Sequence, residues 1–157
     1  MSAVLQPHEP RFEPMTAAHI EAVMAIEQVS YTHPWTRRNF TDSLASGYCA
    51  QLLRDDDGLI GYFVAMLGVD EVHLLNITVA PAHQHQGLGR TLLDELCRWS
   101  RAQGEQWLWL EVRHSNQRAQ AIYERYGFRR VGERRDYYPV SLGRRETAVV
   151  MSYRLHD

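Results

Sequence analysis

The chain has 157 residues, a formal net charge of −2 at pH 7, 45% hydrophobic and 23% charged residues, the make-up of one folded domain rather than a disordered segment. No run of ~18 apolar residues is present to span a membrane, the first ten residues lack a signal-peptide core, and Cys49 and Cys97 allow neither a disulfide framework nor a CxxC motif. All 17 cations are arginine, and a chain without lysine carries no phosphate-loop lysine, Schiff-base lysine or kinase-type strand lysine.

No linker, low-complexity segment or repeat interrupts the chain, which reads as a single domain over 1–157 with residues 1–10 as a flexible tail. Residues 11–15 suit a short strand. Thr16 then N-caps a helical pattern through Ile20, Val23, Met24 and Ile26. His33-Pro34 stops that helix, and a second, shorter one runs from Thr36 to about Ala45. Tyr48–Arg54 and Leu59–Leu67 read as strands joined by the turn Asp55-Asp56-Asp57-Gly58. The almost continuously apolar run Val72–Val79 predicts a strand buried on both faces.

Pro81 ends that strand, and a glycine-containing loop follows. Leu88, Leu92, Leu93, Leu96 and Trp99 fall on one face of a helix that ends near Gly104. Trp107–Val112 is a further apolar strand. Asn116 caps a helix through Ala119, Ile122, Tyr123 and Tyr126, which Gly127 stops. Phe128–Tyr138 and Thr147–Leu155 close the chain as antiparallel strands. The order of elements makes a mixed α/β fold with a parallel pair at its centre.

Charge is unevenly spread: residues 1–83 hold four arginines against ten acids, and residues 84–145 hold twelve against seven. An acidic half suits a cationic acceptor and a basic half an anionic cofactor; an uneven solvated surface fits the same counts. The acidic overall balance speaks against nucleic acid as a partner.

The segment Gln84-His85-Gln86-Gly87-Leu88-Gly89-Arg90 lies between the buried strand and the long helix. Two glycines one residue apart let the backbone turn and aim several N–H groups at one anion, to which the helix N-terminus adds positive potential. Leu92 stands where a dinucleotide-binding fingerprint has its third glycine. With its context, the segment resembles the Q/R-x-x-G-x-G/A motif of the GCN5-related N-acetyltransferases. The strand Leu108–Arg113, the helix stretch Ser115-Asn116 to Tyr126-Gly127-Phe128, and Asp136-Tyr137-Tyr138-Pro139 extend the likeness to the RimI branch of bacterial protein N-terminal acetyltransferases, whose substrate is a small-subunit ribosomal protein. The likeness covers residues 12–153. It departs at Gly143-Arg144-Arg145-Glu146-Thr147-Ala148, where the branch has a shorter Gly-Arg-Glu-Asp-Ala run.

The resemblance implies a mostly antiparallel sheet with a splayed central parallel pair and flanking helices. It implies acetyl-CoA as co-substrate, with the pantetheine along Ile77, Thr78 and Val79 and beside Asn116. The pyrophosphate would sit on the amides of His85, Gln86, Gly87, Leu88, Gly89 and Arg90, with Gln84 opening the motif. Arg90 either adds a charge-assisted contact or faces solvent. A backbone N–H of the 77–79 strand would meet the developing oxyanion.

Glu111, a lone acid in an apolar strand, is either a carboxylate paired with an arginine such as Arg113 or, by the resemblance, the group that receives the acceptor's proton. Direct transfer from an α-ammonium (pKa ~7.7–8.0) to a free Glu (~4.3) is uphill by about 5 kcal/mol unless burial raises the Glu, so a water chain competes with direct abstraction. Tyr123 is either a core aromatic or, by the resemblance, the acid that protonates the leaving thiolate. Roughly 10–20% of α-amines are neutral at pH 7, against about 0.04% of lysine amines, which makes an N-terminal acceptor the easier one.

Tyr31, Trp35, Tyr137 and Tyr138 either wall the acceptor groove or simply pack. Cys49 and Cys97 read as small buried hydrophobes. His83 and His85 lack a third ligand, and no metal is expected. The expected partner is an acceptor protein N-terminus, with no nucleic acid and no membrane; the expected state is a cytoplasmic monomer or weak oligomer. The alternatives are a lysine side chain or small amine as acceptor, or a non-catalytic CoA-binding module.

Overall fold

The computed structural model describes residues 9–156; most of the expected tail, residues 1–8, lies outside them. Seven strands form one mixed sheet in the order β1-β2-β3-β4-β5-β7-β6. They are β1 (Arg11–Pro14), β2 (Cys49–Asp55), β3 (Gly58–Leu67), β4 (Glu71–Val79), β5 (Trp107–Arg113), β6 (Arg129–Pro139) and β7 (Arg145–Arg154). Four helices accompany them: α1 (Ile20–Ser30), α2 (Arg37–Ala45), α3 (Leu88–Ala102) and α4 (Gln117–Tyr126). β4 and β5 run parallel through Glu71↔Trp107, Val72↔Leu108 and His73↔Trp109. The expected mixed α/β fold with a parallel pair is present. By contact the chain divides into two compact units, residues up to Ala65 with Asn76–Leu93, and Met66–Leu75 with Asp94 onward.

In the first unit, β1 pairs antiparallel with β2 and β2 with β3. Thr16 caps a single 3₁₀ turn, Ala17–His19, rather than the α-helix itself, because its N–H donates to His19 Nδ1 (2.9 Å) and closes the chain into a tighter first turn. Thr36 caps α2, its hydroxyl accepting from the Asn39 N–H (3.1 Å). Val23, Phe40, Leu52, Leu53, Ile60, Tyr62 and Phe63 fill the core. Gly61 permits close approach to β4: a Cβ there would lie 2.5 Å from the Thr78 carbonyl oxygen.

β4 corrects one expectation. It is not buried on both faces; Val72, Leu74, Asn76 and Thr78 are buried, whereas His73, Leu75, Ile77 and Val79 are half-buried. An apolar run does not reveal whether the second face is covered by protein.

In the second unit, β5 pairs antiparallel with β7 along its length, and β7 with β6. Leu108, Leu110 and Val112 enter the core, which turns Trp107, Trp109, Glu111 and Arg113 to the opposite face. Gly127, at φ +127°, ends α4; a Cβ there would meet the Tyr153 ring at 2.9 Å. Cys97 is buried as expected, and burial raises its thiol pKa, whereas Cys49 is only half-buried.

Candidate active site

In the first unit the expected cofactor loop joins β4 to α3. Its backbone turns on Gly87 (φ +77°) and on His85, which adopts the left-handed region at φ +66° although it is not glycine. Gly89 instead lies inside the first turn of α3, so only one of the two glycines makes the turn. The Thr91 N–H donates to the Gly87 carbonyl (3.2 Å), the first bond of the helix. The N–H groups of Leu88, Gly89 and Arg90 therefore precede the intrahelical ladder and point out of the helix end. A Cβ placed at Gly87 or at Gly89 meets no atom within 4 Å, so the cradle is open and fits an anion. The Arg90 side chain is exposed, as are those of Gln84, His85 and Gln86.

The strand leading into this loop is tied down by two expected site residues. The Tyr31 hydroxyl donates to the Ile77 carbonyl (2.9 Å) and lies 2.7 Å from Thr78 Oγ1. Gln84 Nε2 donates to the Val79 carbonyl (3.2 Å). Each carbonyl keeps a second lone pair for a ligand amide. Desolvation raises the Tyr31 pKa to about 12, so its hydroxyl stays protonated and able to donate.

Beneath this strand lies a group that the sequence reading did not single out. Glu27 of α1 is 1% exposed. Its Oε1 accepts from the Tyr62 hydroxyl (2.7 Å) and Asn76 Nδ2 (3.1 Å), and its Oε2 from the Trp35 N–H (2.9 Å). The Trp35 ring packs on Phe40 (centroids 5.0 Å apart). Glu27 thus anchors the loop that carries Tyr31 and Trp35 to the core.

In the second unit Glu111 projects from β5 with its side chain 4% exposed. His73 Nε2 lies 2.6 Å from Oε1. The His73 ring stacks on Trp109, with centroids 3.6 Å apart and planes 7° from parallel. Oε2 has Arg134 Nε at 3.8 Å and no hydrogen-bond partner among the described residues. Burial pushes the Glu111 pKa up, but the His73 hydrogen bond, the Tyr137 hydroxyl and the Arg134 charge together outweigh it and hold the carboxyl below its usual range. The Tyr137 hydroxyl is correspondingly raised, by desolvation and by Glu111. Arg113 does not pair with Glu111; it reaches Glu146 (3.4 Å) and lies over the Tyr138 ring.

Tyr137 and Tyr138 pack edge to face, 5.0 Å between centroids, and Arg134 covers both Tyr137 and Trp109. Asn116 caps α4, its Oδ1 accepting from the Ala119 N–H (3.1 Å). Tyr123 is half-buried against Phe128 in an edge-to-face pair, 5.5 Å between centroids. The structure therefore brings Glu111 and Tyr137 together, together with His73 and Arg134, which sequence reasoning missed.

The buried Glu111 carboxylate, hydrogen-bonded at one oxygen, thus stands on the parallel β4–β5 pair of a mixed α/β sheet. A family model described as "Acetyltransferase (GNAT) family" matches residues 20–128, and the chain belongs to that family; it is an acetyl-CoA-dependent N-acetyltransferase. Among its relatives is the [ribosomal protein bS18]-alanine N-acetyltransferase of Escherichia coli K12, 38% identical over 133 residues, which cover 85% of this chain and 89% of that protein. The crystal structure of the Escherichia coli ribosomal-protein-S18-alanine N-acetyltransferase superposes with a TM-score of 0.86 at 34% identity, covering 95% of this chain and 96% of that one. Arabidopsis thaliana NAA60, solved in complex with acetyl-CoA, shares the fold, with a TM-score of 0.81 at 17% identity, covering 93% of this chain and 98% of that one. Among the described residues no helix is long and apolar enough to cross a membrane.

Proposed function

We propose that the protein acetylates the N-terminal α-amine of a protein, and that the acceptor is a small-subunit ribosomal protein beginning with alanine, as the names of its relatives suggest. The amine nitrogen attacks the thioester directly in a ternary complex: an N–C bond forms, the C–S bond breaks, the ammonium gives up a proton and the thiolate gains one. Glu111 carries this reading, because a buried carboxylate held by His73 at one oxygen suits an incoming ammonium at the other.

The lowered pKa of Glu111 sharpens its role. Direct transfer from an α-ammonium costs more than the ~5 kcal/mol reckoned for a free Glu, since the gap has widened. Glu111 therefore acts as a fixed anion that orients the amine and draws its proton away through water. Arg134, 3.8 Å from Oε2, helps keep the carboxylate ionised.

The Tyr123 hydroxyl delivers the proton to the departing thiolate; because a free tyrosine (pKa ~10) is a weaker acid than a free thiol (~8.5), the transfer is uphill by about 2 kcal/mol and is driven by coupling to thioester collapse. Asn116, Ile77, Thr78 and Val79 line the pantetheine, and the N–H groups of Leu88, Gly89 and Arg90 hold the pyrophosphate with Gln84, His85, Gln86 and Gly87. Tyr31, Trp35, Tyr137 and Tyr138 bound the acceptor. The enzyme works in the cytoplasm as a monomer or weak oligomer.

The test is thiol release from acetyl-CoA with three acceptors at equal concentration: a lysine-free peptide with an N-terminal alanine, the same peptide N-blocked with an internal lysine, and a polyamine. Turnover confined to the first is the expected result; turnover mainly on either of the others overturns the assignment.

A further inference from the structure

Glu111 does not stand alone, and the residue that holds it is on a different strand. His73 belongs to β4 and Glu111 to β5; the register His73↔Trp109 sets the imidazole two positions from the carboxylate along the neighbouring strand, on the same face. The ring is clamped flat on Trp109 at 3.6 Å, and its side chain is 13% exposed. An ionised carboxylate only accepts hydrogen bonds, so the proton in the 2.6 Å contact sits on Nε2. That leaves the two oxygens unequal: Oε1 is held by His73, and Oε2 is buried with no hydrogen bond of its own and faces Arg134 at 3.8 Å.

We propose that His73 is a positioning residue for the acetyl transfer, holding Glu111 by Oε1 so that Oε2 alone meets the acceptor amine. The inference rests on the reading of Glu111 given above. Rotation about the terminal Glu torsion is soft, and a carboxylate gripped at one oxygen by a stacked ring loses that freedom before the acceptor arrives. The other groups facing Glu111 hold it less well. Arg134, on β6, stands 3.8 Å off and divides itself between Trp109 and Tyr137. Tyr137 belongs to the same exposed strand, and Tyr138 is engaged by Arg113. His73, by contrast, makes a direct 2.6 Å contact with the carboxylate from a ring stacked face to face on Trp109.

The experiment pairs kinetics with a titration of the carboxylate. His73→Leu removes the donor and keeps bulk; His73→Gln returns one N–H donor. The Glu111 side-chain carboxyl is followed by carbon NMR in the ¹³C-labelled protein, with Glu111→Gln assigning the signal. In H73L the Glu111 midpoint moves up by about one pH unit or more, because the group that offsets burial most strongly is gone. Its kcat falls about ten- to hundred-fold and falls further as the pH is lowered, while KM for acetyl-CoA is unchanged. H73Q recovers most of both. An unmoved Glu111 midpoint in H73L, a moved midpoint with wild-type kcat, or an H73Q enzyme as impaired as H73L overturns the proposal. If the wild-type enzyme acetylates no N-terminal amine, the assigned acceptor fails instead, and the titration still decides whether His73 governs Glu111.

Discussion

Glu27 of α1 and Tyr62 of β3 are joined by a 2.7 Å hydrogen bond in the core, the tyrosine hydroxyl donating to a carboxylate that is 1% exposed. The same carboxylate also receives Asn76 Nδ2 and the Trp35 N–H. Burial raises the Tyr62 pKa and Glu27 raises it further, so the hydroxyl stays protonated. Deleting the carboxylate leaves several donors without an acceptor, each worth about 1–3 kcal/mol where buried. Glu27→Ala is therefore expected to cost at least about 3 kcal/mol in denaturant unfolding and to raise KM for the acceptor through the freed Trp35 loop. A loss below about 1 kcal/mol would mean that water replaces the carboxylate.

Gly61 and Thr78 set a second requirement. With the Thr78 carbonyl only 2.5 Å from where a Cβ would stand, Gly61→Ala forces β3 from β4. The expected cost is about 1–3 kcal/mol, with weaker acetyl-CoA binding as Ile77–Val79 shift. An unchanged unfolding midpoint and dissociation constant would show that the strands have room to adjust.

Tyr123→Phe keeps the packing on Phe128 and removes one oxygen. Single-turnover acetyl transfer is expected to slow about a hundred-fold or more, with acetyl-CoA binding close to wild type. An unchanged chemical step removes Tyr123 as the acid and returns it to the core.

Much of the fold was legible where a helix carried a cap or stop that local chemistry enforces: Thr36 before α2, Asn116 before α4, Gly127 after it. What stayed hidden depends on partners distant in sequence. His73 meets Glu111 only through the β4–β5 register, which no local pattern encodes. Arg134, on β6, reaches Glu111 across β7, and the β6–β7 register shifts between Arg134 and Tyr138. Glu27 did leave a trace: it continues the stripe Ile20, Val23, Met24 at helical spacing, where an acid must be buried. Gly89 shows the reverse, a motif glycine that the turn does not use and that leaves space at the helix end.

Acid stability follows from the direction in which Glu111 is shifted. Its folded pKa lies below the usual 4.5, so its contribution is present above the unfolded value and disappears as the pH falls through the folded one. Wild type is expected to lose more stability than Glu111→Gln between about pH 5 and pH 3. Parallel stability curves for the two would mean that the carboxylate gains nothing from His73 and Arg134 in the native state.

The most direct measurement is the single-turnover rate of acetyl transfer to a peptide with a free N-terminal alanine, for wild type and Glu111→Gln at saturating acetyl-CoA across about pH 6 to 9. The wild-type rate should climb as the α-amine loses its proton, near pH ~8. Glu111→Gln should run about a hundred-fold slower at neutral pH with acetyl-CoA bound as tightly as before, and the gap should narrow at high pH, where the amine arrives already neutral. Equal rates for the two enzymes over the whole range would contradict the role assigned to Glu111.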